Sequence, residues 1–259
     1  MREEMRRNKV KQMLKAGKPV VGTFMVSRSV AALEVLAVAG FDFVIIDAEH
    51  FMKNPETIEH LIIASEAAGI TPFVRVQENV YLIDRVLSAG ARGVMVPMVN
   101  TREMAQAVVD VAKYSPIGKR GVCNPRAVSY GVKGLEDMKA YYREENEDIM
   151  ILAQIETAEG VKNFPQIVKV KGIDTFFIGP MDLSHSLGIT GEFDNPLLKE
   201  HIDKVFELGK KANIPIGIMA FNAEETNEYI KKGFDLIAMG CDMMFLAQSA
   251  MKEMDKIKR

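Results

Sequence analysis

Four short stretches set ionisable residues directly after runs that read as buried strands. In "FVIIDAEH", Phe43 to His50, four apolar residues run into Asp47, Glu49 and His50. "FVRV" ends a strand with Arg75, "AQIET" offers Gln154 and Glu156, and "IGPMDLS" offers Asp182 and Ser184. Glu156 and Asp182, with Gln154 nearby, make an oxygen-rich donor set for a hard divalent cation. Mg2+ and Mn2+ take few carboxylates and keep positions open for water or substrate. Either acid alone is explained as well by a helix cap or by a pairing with Lys or Arg; the two together, beside Arg75 and His50, favour a site. An imidazole oriented by a carboxylate titrates near neutral pH, which suits His50 to a base role. The plainer alternative is a loop histidine that caps a helix. Arg75 at a buried strand end requires a counter-charge, because burying it alone is very costly. The acidic cluster or an acidic substrate would serve.

The remaining polar residues narrow the chemistry. Asn222 and Asp242 follow the last two strand-like runs, so polar groups ring one mouth. No lysine stands at a strand terminus, Lys53 being the nearest, so a Schiff-base nucleophile is missing. Paired glycines that would cradle a phosphate after the last strands are absent, as is zinc-type His/Cys spacing. His60 and His201 fall inside helical patterns, and His185 sits in the loop after Asp182, where it either touches substrate or is simply solvated.

One rhythm positions these residues. Continuously apolar runs at Val20–Val26, Phe43–Glu49, Thr71–Val76, Gly93–Val99, Met150–Glu156, Thr175–Pro180, Pro215–Phe221 and Leu236–Gly240 alternate with helical patterns such as "ETIEHLIIASEAAG" and "PLLKEHIDKVFELGKKA". Several of those patterns end at Gly40, Gly69, Gly90 or Gly233, as left-handed caps require. Unbroken apolar strands are buried on both faces, as in a parallel sheet. Eight strand–helix units predict an α/β fold of the (β/α)8 TIM-barrel type, with the functional groups at the C-terminal ends of its strands. A doubly wound open sheet would want a glycine-rich turn after the first strand, and "GTFMVSRS" is not one. The expectation is a single domain over 1–259, led by a short helix around Val10, Met13 and Leu14 and closed by a C-terminal helix. The longest irregular segment is Tyr114–Gly134.

Bulk properties exclude several roles. The 259 residues are 48% hydrophobic and 26% charged with a net charge of −2, so neither nucleic acid nor an acidic membrane is an expected partner. No apolar run reaches bilayer length, and the basic N-terminus lacks the apolar core of a signal peptide. Cys123 and Cys241 are far apart and read as free thiols in a reducing cytoplasm.

The stretches "FVIIDAEH", "PFVRV", "GVMVPMV", "GKRGV", "AQIET" and "FIGPMDLSHSLG", in that order, resemble the HpcH/HpaI family of metal-dependent class II pyruvate aldolases. The resemblance covers about Gly22 to Leu246 and implies a phosphoenolpyruvate/pyruvate-type barrel. It implies reversible retro-aldol cleavage of a 4-hydroxy-2-keto acid to pyruvate and an aldehyde, with Mg2+, Mn2+ or Co2+ as cofactor. By the same resemblance Glu156 and Asp182 hold the metal. Gln154 and the segment Met181, Asp182 and Ser184 bind the pyruvate portion, Arg75 steadies the enolate oxygen, and His50, assisted by Asp47, is the base. A homo-oligomer is implied, a hexamer or trimer, with "DMMFLAQSAMKEMDKI" as the exchanged helix. Citrate-lyase-like or malyl-CoA-lyase-like cleavage on the same barrel is the alternative, and a barrel that only binds is another. The chain departs from the pattern twice. Where the family often reads D-G-E-H-x-P, it reads "DAEHFMKNP", so Phe51 and Met52 reshape the aldehyde pocket; where the family often carries an Asp that supports the histidine, it has Ser88. Arg28, Arg120, Arg126 and His185 are the candidates for reading a distal carboxylate or sugar hydroxyls.

Overall fold

A computed structural model describes residues 7–77, 81–132 and 134–258. A lead-in helix α1 (Lys9–Lys15) precedes β1 (Val20–Met25), α2 (Val30–Val38), β2 (Phe43–Asp47), α3 (Pro55–Ala68) and β3 (Thr71–Arg75). Then follow α4 (Tyr81–Ala89), β4 (Gly93–Val96), α5 (Arg102–Ala112), α6 (Leu135–Asp148), β5 (Met150–Ile155), α7 (Ala158–Ile167) and β6 (Thr175–Ile178). The chain continues through α8 (Pro180–Ser186), α9 (Pro196–Lys211), β7 (Ile216–Ala220), α10 (Ala223–Lys232), β8 (Leu236–Cys241) and α11 (Asp242–Met254). The strands close in order, all parallel, into an eight-stranded barrel, β1 pairing with both β2 and β8. This is the (β/α)8 barrel that the strand rhythm predicts.

Local chemistry starts and stops the helices where the sequence suggests. Ser29, Asn54, Thr101, Thr157 and Asn222 each accept a backbone N–H from the first turn of the helix they precede, and Pro55 follows Asn54 at the first helical position. Gly69 and Gly233 close α3 and α10 with φ of 76° and 99°, a conformation that costs a side chain dearly.

Alternation along the strands sorts two cores. Val44, Ile46, Val74, Ile151 and Ile178 face outward and pack beneath the helices. Phe24, Phe43, Ile45, Phe73, Met95, Met150, Leu152 and Phe177 form a separate inner cluster. Phe24 and Phe177 meet edge to face at 6.5 Å although β1 and β6 are not neighbours, so their contact runs across the barrel. Val10 of α1 joins this inner cluster and plugs the end opposite the mouth.

The strands stop short of the expected ends: β2 at Asp47 rather than Glu49, β4 at Val96 rather than Val99, β6 at Ile178 rather than Pro180. Residues past the last ladder bond turn inward as loops, and Met98 takes the left-handed conformation with φ 54°. Two helices, α6 and α8, are not among the helical patterns read from sequence, and His185, expected in a loop, lies in the last turn of α8. In the segment Tyr114–Gly134, of which Lys133 lies outside the described residues, Arg126–Gly131 forms a 3₁₀ turn. Among the described residues no helix is long and apolar enough to cross a membrane.

Candidate active site

Strand parity delivers the polar residues to one mouth. On β2, Phe43 and Ile45 point inward, so Asp47 does too; on β3, Phe73 points inward and so does Arg75, paired in register with Asp47. On β5 the inward series Met150 and Leu152 continues to Gln154 and then Glu156. The same periodicity that builds the inner core ends in its chemistry.

Asp47 is 0% exposed and binds Arg75 through two bonds, Nη2 to Oδ2 at 2.6 Å and Nε to Oδ1 at 3.0 Å. Its Oδ1 also accepts the N–H of Glu49 at 3.0 Å and of His50 at 3.4 Å. Burial pushes the Asp47 carboxyl up, but Arg75 and these two N–H groups together hold it below its ordinary range. Asp47 is thereby committed to Arg75 and to the backbone of the loop. The carboxylate that meets the imidazole is that of Glu49: its Oε2 lies 3.6 Å from His50 Nε2 and 3.2 Å from Arg75 Nε. Glu49 Oε2 is buried and completes no hydrogen bond, and burial raises the carboxyl above its ordinary value. His50 itself is half exposed. Arg75 lies 4.7 Å from the Phe24 ring, which holds the guanidinium over the barrel interior. From the loop beyond, Lys53 Nζ donates to the carbonyls of Val26 and Asp47, both at 2.9 Å, and ties two strand ends together.

Glu156 is buried to 3% exposure and takes one neutral partner on each oxygen: the N–H of Met98 at 2.9 Å on Oε1 and Gln154 Nε2 at 2.9 Å on Oε2. Burial, with the charges of Asp182 and Glu49 adding to it, pushes its carboxyl up to about 7. Gln154 Oε1 is buried with no hydrogen-bond partner. Gly179 backs the carboxylate so closely that a Cβ there would stand 2.5 Å from Glu156 Oε2. Asp182 sits exposed in the first turn of α8 beside exposed Met181, and its charge reaches both Glu156 and Glu49. Ser184 is 0% exposed; its hydroxyl donates to the Met181 carbonyl at 2.7 Å and accepts the N–H of Gly191 at 3.0 Å. That hydroxyl is spent on the turn that carries Asp182 rather than offered to the mouth.

Among the described residues no three His, Cys, Asp or Glu side chains converge as a ready-made cation cage. What the mouth does hold is a cluster of carboxylate oxygen: Glu156, Asp182 and Glu49 beside Arg75, whose guanidinium Asp47 already occupies with both oxygens. An acid driven towards neutrality, an orphaned amide oxygen beside it and an all-oxygen donor set together fit a hard divalent cation.

Of the residues expected to read a distal group, Arg120 binds Asp84 at 2.9 Å and Arg126 binds Glu66 and the Ala89 carbonyl, on the helical shell. Asp242 holds the N–H groups of Val26 and Ser27 at 2.9 and 3.1 Å. Asn222 caps α10. Reasoning by residue type passes over Met98, whose part is a backbone N–H, and Gly179, whose part is an absent side chain; only the glycine's place before "PMDLS" hints at it.

Known proteins resemble this chain over nearly its whole length. The family model described as HpcH/HpaI aldolase/citrate lyase matches residues 21–249. The chain is 34% identical to a 2-dehydro-3,6-dideoxy-6-sulfogluconate aldolase of Pseudomonas putida, covering 92% of each chain. It is also 34% identical to a 4-hydroxy-2-oxo-heptane-1,7-dioate aldolase of Shigella sonnei, over 94% of this chain and 92% of that one. Among solved structures, an HpcH/HpaI aldolase/citrate lyase family protein from Burkholderia cenocepacia J2315 superposes with TM-score 0.90 at 31% identity, covering 96% of this chain and 98% of that one. The citrate synthase SbnG superposes with TM-score 0.86 at 32% identity, over 95% of each.

Proposed function

Because the chain belongs to the HpcH/HpaI aldolase/citrate lyase family, we propose that its mouth binds a 4-hydroxy-2-keto acid over Glu156, Asp182 and Gln154 and divides the roles of the cleavage among the residues described above. The reaction class itself is that of its relatives: the protein is an aldehyde-lyase that breaks a carbon–carbon bond by retro-aldol cleavage. Glu156 and Asp182 would hold a divalent cation, Mg2+, Mn2+ or Co2+. When bound, it would supply a Lewis acid beside the keto and carboxylate oxygens of the substrate.

His50, half exposed at the mouth with Glu49 beside it, takes the proton from the C4 hydroxyl. The C3–C4 bond breaks as the C4 oxygen becomes the aldehyde carbonyl, and the electron pair passes to C3 as pyruvate enolate. Arg75 faces the new negative charge from a position that Asp47 fixes before the reaction starts, which is what preorganised stabilisation requires. Asp47 acts through Arg75 and through the backbone of Glu49 and His50, not by touching the imidazole. Gln154 Oε1 and the backbone around Met181 and Asp182 orient the keto acid.

Both relatives named above act on substrates whose names carry a second acid, a 1,7-dioate in one and a 6-sulfo group in the other. A keto acid with an acidic far end is accordingly the substrate class that we propose. The barrel with its two flanking helices would work as one domain within a homo-oligomer, a hexamer or trimer, in a reducing cytoplasm that keeps Cys123 and Cys241 as thiols. Apolar side chains Met243, Leu246, Met251 and Met254 stand exposed on α11 and suit burial against a second copy.

The observation that carries the reading is the buried Glu156, held by neutral partners and crowded by Asp182. Glu156→Gln keeps the acceptor for Met98 N–H and removes the charge. The variant should fold normally and lose about a hundredfold or more in kcat, since several kcal/mol of charge stabilisation go with the carboxylate. Wild-type turnover in a folded Glu156→Gln protein, read as pyruvate release, would refute the assignment.

A further inference from the structure

We propose that Arg28, on the loop between β1 and α2, recognises a negatively charged group at the far end of the substrate, a terminal carboxylate or sulfonate, and so sets which aldehydes are released. The inference deepens the function proposed above and rests on it. Of the four residues singled out for a distal group, the fold spends three elsewhere. Arg120 is 4% exposed, bound to Asp84 and 4.5 Å from the Tyr114 ring. Arg126 is tied to α3 and α4 through Glu66 and the Ala89 carbonyl. His185 Nδ1 is 3.0 Å from Thr190 Oγ1. Arg28 is exposed and forms no ion pair or side-chain hydrogen bond with the described residues.

The loop that carries Arg28 is braced rather than loose. Asp242 takes the N–H groups of Val26 and Ser27, Lys53 donates to the Val26 carbonyl, and Ser29 accepts the N–H of Ala32 at 3.1 Å to start α2. Side chains from the β8–α11 and β2–α3 junctions therefore fix its backbone against the same strand ends that carry Asp47. This ties Arg28 to the rim of the mouth, where its charge reaches Lys53 and joins burial in lowering the lysine's pKa. Asp47 and Asp242 offset the charge of Lys53, whereas Arg28 forms no ion pair with the described residues. The first turn of α2, directly after Arg28, contains no acid, so its partial positive charge adds to that of Arg28. A fixed backbone, a cation with no acid partner and a helix start that favours negative charge converge on one ligand chemistry. A guanidinium suits carboxylate and sulfonate alike.

The test measures kcat/KM, by pyruvate release, on three 4-hydroxy-2-keto acids ending in a carboxylate, a sulfonate or a methyl group. Wild type is compared with Arg28→Ala and Arg28→Glu. The wild type should favour at least one anionic tail over the methyl tail by about tenfold or more, the worth of one charge-assisted contact. That ratio should collapse in Arg28→Ala and invert in Arg28→Glu, and the two anionic arms tell carboxylate from sulfonate. A wild-type preference that survives both substitutions, or no preference at all while pyruvate is still released, overturns the role of Arg28 alone. Failure to release pyruvate from any of the three overturns the proposed substrate class together with it.

Discussion

Two buried carboxylates of one barrel are driven in opposite directions by their neighbours. Asp47 has a guanidinium on both oxygens and sits below its ordinary range; Glu156 has one amide and one N–H and is pushed up to about 7. The first is a finished ion pair and serves as an anchor. The second is an unfinished site that a cation completes. Gly179 tests this distinction without removing any polar atom. Its φ of −100° is ordinary backbone, so Gly179→Ala introduces no strain of its own, only a methyl group against Glu156 Oε2. The expected result is a loss of about 10–100-fold in metal affinity, the scale of a disturbed ligand support, with little change in Tm. Unchanged affinity would mean that the carboxylate is not held for a ligand. Residue types announced the acids, the arginine and the histidine in the sequence, because polar groups at the ends of apolar strands are conspicuous. Their pairing was not legible: Asp47 meets Arg75 from the neighbouring strand, in a register that only the folded sheet sets, and the nearness of Glu49 to His50 depends on how the loop turns.

At the scale of elements, period-2 alternation decides the site, since Phe43, Ile45 and Asp47 share one face of β2 while Met150, Leu152, Gln154 and Glu156 share one face of the β5 run. The opposite end is closed by α1 and by a buried lysine. Lys113 Nζ donates to the carbonyls of Asn146 at 2.8 Å and Ile149 at 3.0 Å, with Asp174 at 3.6 Å. Burial lowers its pKa from 10.5 to about 8. Between those values the unfolded chain holds a proton that the folded chain has released, so this group adds stability as pH rises from about 8 to about 10.5. The full span is about 3 kcal/mol. Unfolding free energies of wild type and Lys113→Met, measured at several pH values, should show the wild type gaining on the variant over that window. Parallel curves would contradict the burial. The strands and their order were legible because continuous apolar runs are distinctive. The ends of β2, β4 and β6 and the helix α6 were not: ladder ends are set by barrel closure, and α6, "LEDMKAYYREENED", is too polar to display an apolar stripe.

For the whole molecule, the barrel followed from the count and rhythm of its strands, while assembly depends on surfaces that a single chain leaves exposed. Leu246 is 61% exposed on α11, and Leu246→Glu should shift the protein to smaller species in light scattering after gel filtration. An unchanged mass, or a wild type that is itself monomeric, would place the interface elsewhere or remove it. The central claim, that Glu156 and Asp182 share one cation on which cleavage depends, is met most directly by following pyruvate release from a 4-hydroxy-2-keto acid before EDTA, after EDTA, and after Mn2+, Mg2+ or Co2+ is restored. Release should cease with the chelator and return with the ion. Pyruvate formed at the same rate throughout would contradict the account.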